Sequence, residues 1–202
     1  MTFLSEQISS EQISRYAELI YGRTGIRISE KKQSLISSRL RRRMKTNGVS
    51  CFDDYFDLLV GADCEQEWNA LYEVVTTHHT HWFRDYNQWH WFEHRFLVDL
   101  HEQFKQGKRE GKLKIWSAAC STGEEAYSFA CCIANVIPKP QSWEFDILAT
   151  DIAVDTLAIA ERGSYDERGM NPVPEEIKGR FFTADDVRGW MVIPMFQEWT
   201  RF

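Results

Sequence analysis

The sequence predicts an α/β protein in two parts, a small all-helical N-terminal domain followed by a domain with a parallel sheet. Over about the first 90 residues, apolar residues recur at helical spacing without strand-like alternation. After a polar break at residues 105–112, strand-like and helix-like segments alternate, as in a sheet with crossover helices. The 202 residues are 43% apolar, enough for one good core or two modest ones.

Four helices are expected in the first part. The first contains Ile8 and Tyr16 and is predicted to break at Tyr21-Gly22, with Thr24-Gly25 as a turn. The second is opened by Ser29 and closed by Asn47-Gly48. The last three are predicted over residues 29–45, 51–61 and 64–77.

The second helix carries the one strong charge run of the sequence. Arg39, Arg42 and Arg43 are expected to share a face. This patch is either a solvated helix face or a docking surface for an acidic protein or a nucleic acid, and the excess of arginine suits carboxylate or phosphate pairing. The cationic residues are Lys31, Lys32, Arg39, Arg41, Arg42, Arg43 and Lys45, with no acid between them.

The second part begins with a short buried strand at residues 113–119, followed by an apolar helix at 124–137 that Pro138 stops. A second strand at 143–151 ends in an acid, and a helix at 153–163 ends at a glycine. Strand, helix, strand and helix in this order predict a parallel sheet.

The turn after the first strand reads SAACSTGEEAYS, where a ligand would approach an open parallel sheet. Its single glycine and the acids Glu124 and Glu125 argue against a pyrophosphate. They are compatible with a cationic cofactor such as S-adenosylmethionine, whose ribose hydroxyls Asp151 can accept. The alternative is that the two glutamates favour the helix dipole and Asp151 caps the next helix.

Three stretches carry a more specific resemblance: KIWSAACSTGEEAYSFA, LATDIAVDTLAIAERGSYDER and VVTTHHTHWFRD, with GRFF at 179–182. Together they resemble the chemotaxis receptor glutamate O-methyltransferases, the CheR family. The resemblance implies a helical receptor-recognition domain at residues 1–75 and a linker with its connecting helix at 76–112. Residues 113–202 would form an incomplete Rossmann-like, S-adenosylmethionine-dependent methyltransferase domain.

The resemblance also implies roles for single residues. The family linker motif T-T-N-x-T-x-F-F-R is matched by TTHHTHWFR at 76–84, with His78 in place of asparagine. Thr80 then falls on a cofactor-contacting threonine, and Arg84 on a functional arginine expected to orient the substrate glutamate or the charged end of the cofactor. Glu125 and Asp151 would contact the cofactor, Asp151 at its ribose.

The histidines raise the question of a metal. His78, His79 and His81 lie in the linker, and no obvious further ligand accompanies them, so no metal site is expected there. His90 and His94 stand four residues apart on a predicted helix, a spacing that can bind metal. We expect them instead to be polar surface beside an aromatic core stripe. This stripe is expected to be interdomain core rather than a stack against a ligand, and it comprises Trp82, Phe83, Trp89, Trp91 and Phe92.

By resemblance, the chain transfers a methyl group to receptor glutamates in bacterial chemotaxis, with S-adenosylhomocysteine as product. The basic face of Arg39, Arg42 and Arg43 would meet the cytoplasmic helices of methyl-accepting receptors. The net charge of −6 argues against nucleic acid as a partner. No run of 18 apolar residues and no signal-peptide pattern occurs, so a cytoplasmic chain without membrane insertion is expected.

The family continues beyond the segment matched here with an R-N-x-x-I-Y-F type motif, which this sequence does not contain. We therefore expect a truncated methyltransferase domain whose exposed sheet edge permits self-association. The alternative function is that of a catalytically inactive relative that binds receptors. The five cysteines are odd in number and lack C-x-x-C spacing, so reduced thiols are expected.

Overall fold

The structure is a computed structural model that describes residues 7–28, 33–62, 64–76 and 79–202. Its contacts divide the chain into two compact units, one ending at residue 77 and the other beginning at residue 78. The first is helical, and the second combines helices with a parallel sheet. The predicted fold class is confirmed.

Four helices form the first unit. Helix α1 begins after Ser9, which forms a capping box with Gln12. The predicted break at Tyr21-Gly22 is wrong, because α1 continues through Gly22 and ends at Gly25, whose φ of 71° suits a C-cap glycine. The predicted helix start at Ser29 lies outside the described residues. The helices are α1 (Ser10–Thr24), α2 (Gln33–Thr46), α3 (Phe52–Val60) and α4 (Glu65–Val75).

The core of the first unit is aromatic at its centre. The Tyr16 and Tyr55 rings stack with centroids 6.3 Å apart. The Trp68 indole nitrogen donates to the Leu59 carbonyl oxygen at 3.0 Å, which satisfies a polar group inside the core. Ile20, Leu40 and Met44 are fully buried in the same core cluster.

The second unit begins with one long helical run, which changes from α-helix to π-helix and back. It leads into alternating strands and helices, close to the predicted segments. The helical run comprises α5 (Tyr86–Trp91), a π-helix (Phe92–Leu97) and α6 (Val98–Lys105). There follow β1 (Lys112–Ala118), α7 (Glu124–Val136), a 3-10 turn (Pro140–Ser142), β2 (Glu144–Thr150) and α8 (Val154–Arg162).

The remaining segments are β3 (Ser164–Tyr165), α9 (Glu167–Met170), α10 (Glu175–Phe181), β4 (Phe182–Asp185), β5 (Gly189–Val192), α11 (Pro194–Trp199) and β6 (Thr200–Arg201). Two three-stranded sheets result. The first has the order β1-β2-β6 and is parallel, with Ala118 opposite Thr150. The second has the order β3-β5-β4 and is antiparallel. The sequence pattern did not predict this second sheet.

Short-range polar contacts explain the antiparallel turn between β4 and β5. The Asp185 carboxylate accepts from the backbone nitrogens of Val187 and Arg188 at 2.9 and 2.8 Å, and these bonds hold its pKa below the usual value. Gly189 follows with a φ of 76°, a conformation that glycine adopts without strain. A four-residue strand is too short to show a clear alternation in sequence.

The aromatic stripe belongs to the core of the second unit, with one exception. Trp82, Trp89 and Phe92 are buried and Phe83 packs against them. Trp91 is 56% exposed, so its assignment to the core was wrong. The helix turns this position to the side opposite Trp89.

Among the described residues, none of the helices has the length and apolar character that crossing a membrane requires.

Candidate functional site

The candidate site begins where β1 and β2 end side by side. Because the two strands are parallel and in register, the loop at residues 119–123 and the first residues after β2 emerge at one edge of the sheet. The Cys120 backbone nitrogen donates to the Thr150 carbonyl oxygen at 2.9 Å, which extends the pairing past the strands. This edge is where the sequence placed its cofactor residues.

Asp151 joins the two strand ends. One carboxylate oxygen accepts from the Ser121 backbone nitrogen at 2.8 Å, and the other from the Ala153 nitrogen at 3.0 Å. The second bond is a local turn before α8, whose N-cap is Ala153 without a side-chain cap bond, so the alternative that Asp151 caps this helix is wrong. Each carboxylate oxygen has a further lone pair, so these two bonds leave Asp151 able to accept from ligand hydroxyls.

The loop beside Asp151 adopts an unusual backbone. Ala119 and Ser121 have φ values of 61° and 51°, a region that side chains other than glycine rarely adopt. The Ser121 side chain is 8% exposed, and its hydroxyl finds no hydrogen-bond partner among the described residues. Strained residues and unpaired buried hydroxyls concentrate at ligand sites, and both occur here.

Gly123 closes the loop and begins α7. Its φ is 92°, and a Cβ placed on it would lie 2.9 Å from the Ala160 Cβ and 3.1 Å from the Tyr165 hydroxyl oxygen. Tyr165 in turn donates to the Thr122 carbonyl oxygen at 2.8 Å, which ties the loop to β3. Glycine is required at this position both for the backbone and for the space.

The Gly123→Ala variant should therefore lose about 2–3 kcal/mol of unfolding free energy, from a left-handed alanine and the close contact with Ala160. The matched control is Gly179→Ala in α10, where nothing lies within 4 Å of the new Cβ and φ is not positive. That change should be neutral or stabilising by about 0.5 kcal/mol. Urea unfolding of both variants measures the contrast, and equal losses would contradict the packing assigned to Gly123.

Two glutamates at the start of α7 have different surroundings. Burial raises the pKa of Glu124, whose carboxylate pairs with the Thr122 hydroxyl at 2.6 Å. Glu125 is exposed and accepts from the buried Ser117 hydroxyl at 2.7 Å. Glu125 is therefore the acid at this helix start that can meet a ligand cation, and Ser117 at the end of β1 orients it.

Cys120 lies in the same loop, but its thiol is not suited to act as a nucleophile. Burial raises the pKa of its thiol to about 12, and the Asp151 carboxylate acts in the same direction. The thiol therefore stays protonated at neutral pH. All five cysteines are free thiols, and all but Cys51 are buried.

The predicted linker segment packs against α7 within the second unit. The Phe83 backbone nitrogen donates to the Ser128 hydroxyl at 3.2 Å, and Ser128 donates to the Glu124 carbonyl oxygen at 2.6 Å. Phe83 and Asp85 have positive φ values of 52° and 62°. Every non-glycine residue with a positive φ in the described chain thus lies in this segment or in the 119–123 loop.

Arg84 is exposed on this segment. Its guanidinium donates to the His79 carbonyl oxygen at 2.9 Å, and its own carbonyl oxygen accepts from the Trp89 indole. A guanidinium has five N–H donors, so this bond leaves others for a ligand. Thr80 is half-buried in the same segment, and His78 lies outside the described residues.

A cavity of about 550 Å³ adjoins the site. Trp89, Phe92 and Phe129 give it apolar walls, and Glu125 is an acidic residue of its lining. Sequence reasoning missed this cavity, because its lining comes from two helices that are distant in sequence. The polar roles of Ser117 and Ser121 were not predicted either, although both lie within the SAACSTGEE stretch. The full lining is Asn87, Gln88, Trp89, Trp91, Phe92, Glu125 and Phe129.

The predicted basic face lies in the first unit, and two of its three arginines form contacts within that unit. Arg39 donates to the Val75 carbonyl oxygen at 2.7 Å, at the end of α4. Arg43 forms a two-point ion pair with Glu67, with nitrogen–oxygen distances of 2.9 and 2.6 Å. Arg42 is exposed. Of the three predicted partner-binding arginines, Arg42 is thus the most accessible.

Comparison with known families agrees with both units. Residues 11–76 match the family model described as CheR methyltransferase, all-alpha domain, and residues 78–202 match CheR methyltransferase, SAM binding domain. The chain belongs to the CheR methyltransferase family. The recognition made from the TTHHTHWFR and SAACSTGEE stretches is thereby confirmed.

Named relatives support this membership. The chain is 34% identical over 171 residues to a probable chemotaxis protein methyltransferase of Rhizobium etli, covering 85% of this chain and 63% of the relative. Chemotaxis protein methyltransferases of Borreliella burgdorferi and Escherichia coli are 30% and 33% identical, with 88% and 87% of this chain and 63% and 57% of the relatives covered. The chain therefore spans about 60% of the length of these CheR relatives.

Proposed function

We propose that this CheR chain binds S-adenosylmethionine at the ends of β1 and β2 and contributes to methylation of receptor glutamates in the cytoplasm. The observation that carries the proposal is the Asp151–Ser121 bond beside a buried hydroxyl without a partner. Such an arrangement fits a ligand rich in hydroxyl groups, as the ribose is. Membership in the CheR family supports the choice of ligand.

Two acidic residues are proposed to bind different parts of the cofactor. Asp151 would accept the ribose hydroxyls, and Glu125 would pair with the ammonium of the cofactor. Thr80 and His78 are proposed to line the site from the linker segment. When bound, the cofactor supplies an electrophilic methyl group on a sulfonium, and S-adenosylhomocysteine remains after transfer.

Arg84 is proposed as the catalytic residue because it can hold the reacting carboxylate. A glutamate side chain is ionised at neutral pH, so no general base is needed to create the nucleophile. What the protein must supply is alignment and exclusion of water. The guanidinium has planar donors that suit a carboxylate, and its bond to the His79 carbonyl oxygen restrains it.

Incubation of the chain with methyl-labelled cofactor and the cytoplasmic fragment of a chemoreceptor tests this function. Label should enter the receptor as a methyl ester, which mild base releases as methanol. The Arg84→Lys variant should transfer label at least about tenfold more slowly than the unchanged chain, since an ammonium cannot pair with a carboxylate at two points. Label stable to base, or equal rates in both proteins, would contradict the assignment.

Receptor helices are the proposed partner of the basic face. Arg42→Ala should weaken binding of the receptor fragment about two- to fivefold at low salt, and the difference should shrink at high salt. Arg168→Ala, an exposed arginine in the second unit, gives the same change in net charge and should have little effect. Equal losses in both variants would mean that net charge, not this face, attracts the receptor.

Self-association through the edge of β1 stays a prediction. Within the described residues, β1 pairs with β2 on one side only. Light scattering over a range of concentrations tests it.

No observation on the described residues favours the alternative of an inactive receptor-binding relative.

A further inference from the structure

Two histidines outside the candidate site form a close pair on the surface. His90 is near the end of α5, and His94 lies in the π-helix that follows. Both side chains are exposed, and their ring centroids are 4.5 Å apart with an interplanar angle of 59°. Among the described residues, the His90 ring contacts those of Tyr86 and His94.

The local helix geometry favours this pairing. In an α-helix, residues four apart already lie on one side, and the wider turn of a π-helix brings them closer to one line along the axis. Tyr86, four residues before His90, lies on the same side with its ring centroid 5.9 Å from that of His90. Short π-helical segments are frequent at functional sites, which is a second indication that this turn has a role.

From these observations we infer that His90 and His94 bind a divalent transition metal ion of the Cu²⁺ or Ni²⁺ class. An imidazole–metal bond of about 2.0 Å puts the metal about 3.2 Å from each ring centroid, and a right angle between the bonds then separates the centroids by about 4.5 Å. A tetrahedral angle gives about 5.2 Å, so the observed 4.5 Å lies in the range at which two imidazoles can bind one ion. The choice of Cu²⁺ or Ni²⁺ follows from the high affinity of nitrogen ligands for these ions.

The site would be two-coordinate from the protein, with water in the other positions. No group of three or more histidine, cysteine or acidic side chains in the described part of the chain is arranged to hold a metal. The nearby Glu93 carboxylate is directed instead toward Asn135, whose amide nitrogen is 3.4 Å away. The sequence spacing allowed this alternative, and the ring separation is the observation that favours it.

Titration of the full chain, without an affinity tag, with Cu²⁺ tests the inference. Calorimetry should give one strong site, and the electron paramagnetic resonance spectrum should show nitrogen coupling. His90→Gln and His94→Gln should each weaken Cu²⁺ binding at least about tenfold, since one imidazole loses the effective concentration of the other. Fluorescence of Trp91, which is exposed beside His90, should be quenched in step with binding.

Two matched controls make the result specific. His101→Gln removes a histidine of α6 whose ring packs against Phe104 and Trp143, and it should leave Cu²⁺ binding unchanged within about twofold. A variant with glutamine at the linker positions His78, His79 and His81 should also leave Cu²⁺ binding unchanged within about twofold. Absence of wild-type binding, loss in the linker variant, or full retention in His94→Gln would each overturn the inference.

The inference does not depend on the proposed methyltransferase function. Circular dichroism spectra of His90→Gln and His94→Gln should match that of the unchanged chain, which shows that the variants are folded, and S-adenosylhomocysteine binding should also be unchanged. A failure of the metal site and a failure of the cofactor site are therefore observed separately.

Discussion

The Asp151→Ala variant should bind S-adenosylhomocysteine at least about 100-fold more weakly than the unchanged chain. Hydrogen bonds to a charged group contribute roughly 1.5–3 kcal/mol each, so losing those to two ribose hydroxyls removes about 3 kcal/mol or more. The change also leaves the Ser121 and Ala153 nitrogens without their acceptor, so the 119–123 loop loses its side-chain attachment to the end of β2 and keeps the backbone bond between Cys120 and Thr150. Both effects act against the cofactor.

Calorimetric titration measures this difference directly, and two further variants separate its causes. Asp151→Asn keeps the shape but turns an amide N–H toward one of the two backbone donors, so it should also bind weakly. Asp146→Ala removes a carboxylate of the same strand that pairs with Arg201, and its affinity should be unchanged. Retained affinity in Asp151→Ala would contradict the role of Asp151. Lack of binding by the folded, unchanged chain would contradict the cofactor site as a whole.

The Glu67→Ala variant should destabilise the first unit by about 3 kcal/mol, because removal of one member of a buried ion pair leaves the other without compensation. Glu67 is 8% exposed and accepts from Arg43, from the Tyr55 hydroxyl and from the Asn47 amide. Burial alone would raise the pKa of Glu67, but these three donors together hold the pKa below the usual value.

The same pKa shift sets the pH dependence. Because the pKa of Glu67 is lower in the folded chain than in the unfolded chain, the network contributes its full stability above the unfolded pKa. The contribution is lost as the pH falls through the folded value. The difference in stability between the unchanged chain and Glu67→Ala should therefore narrow in acid.

Hydrogen exchange of the α2 and α4 backbone amides gives the local measurement, since the two units need not unfold together. Glu65→Ala is the matched control, because this carboxylate is 69% exposed and pairs with Arg23 on the surface. The Glu65→Ala change should lower the free energy of unfolding by at most about 0.5 kcal/mol. Equal exchange rates in the two variants would show that the Glu67 network does not hold the helices together.

Much of the fold follows from local sequence. The spacing of apolar residues placed the helices of the first unit, and the order of strand-like and helix-like segments predicted the parallel pair β1 and β2. The error at Gly22 has a local cause: glycine is tolerated inside a helix at a cost of about 1 kcal/mol, so its presence alone does not end one. The left-handed C-cap at Gly25 required the backbone conformation to be known.

The antiparallel sheet is the largest part of the fold that the sequence did not reveal. Strands β3, β4 and β5 have two to four residues, too few for a period of two to be recognised. Their pairing depends on Gly189 and on the Asp185 turn, contacts that a pattern of hydrophobicity does not contain. The cavity beside Glu125 was missed for a related reason, because α5 and α7 meet only in the folded chain.

The sequence by itself determined the family, the fold class and the residue types at the candidate site, since TTHHTHWFR and SAACSTGEE each specify chemistry within one short segment. Only the tertiary structure decided how those residues are used. It showed that Arg43 pairs with a buried carboxylate while Arg42 stays exposed, and that Asp151 joins two strand ends. The physical reason is that a charge acquires its role from burial and from its partners, and both are set by contacts between distant segments.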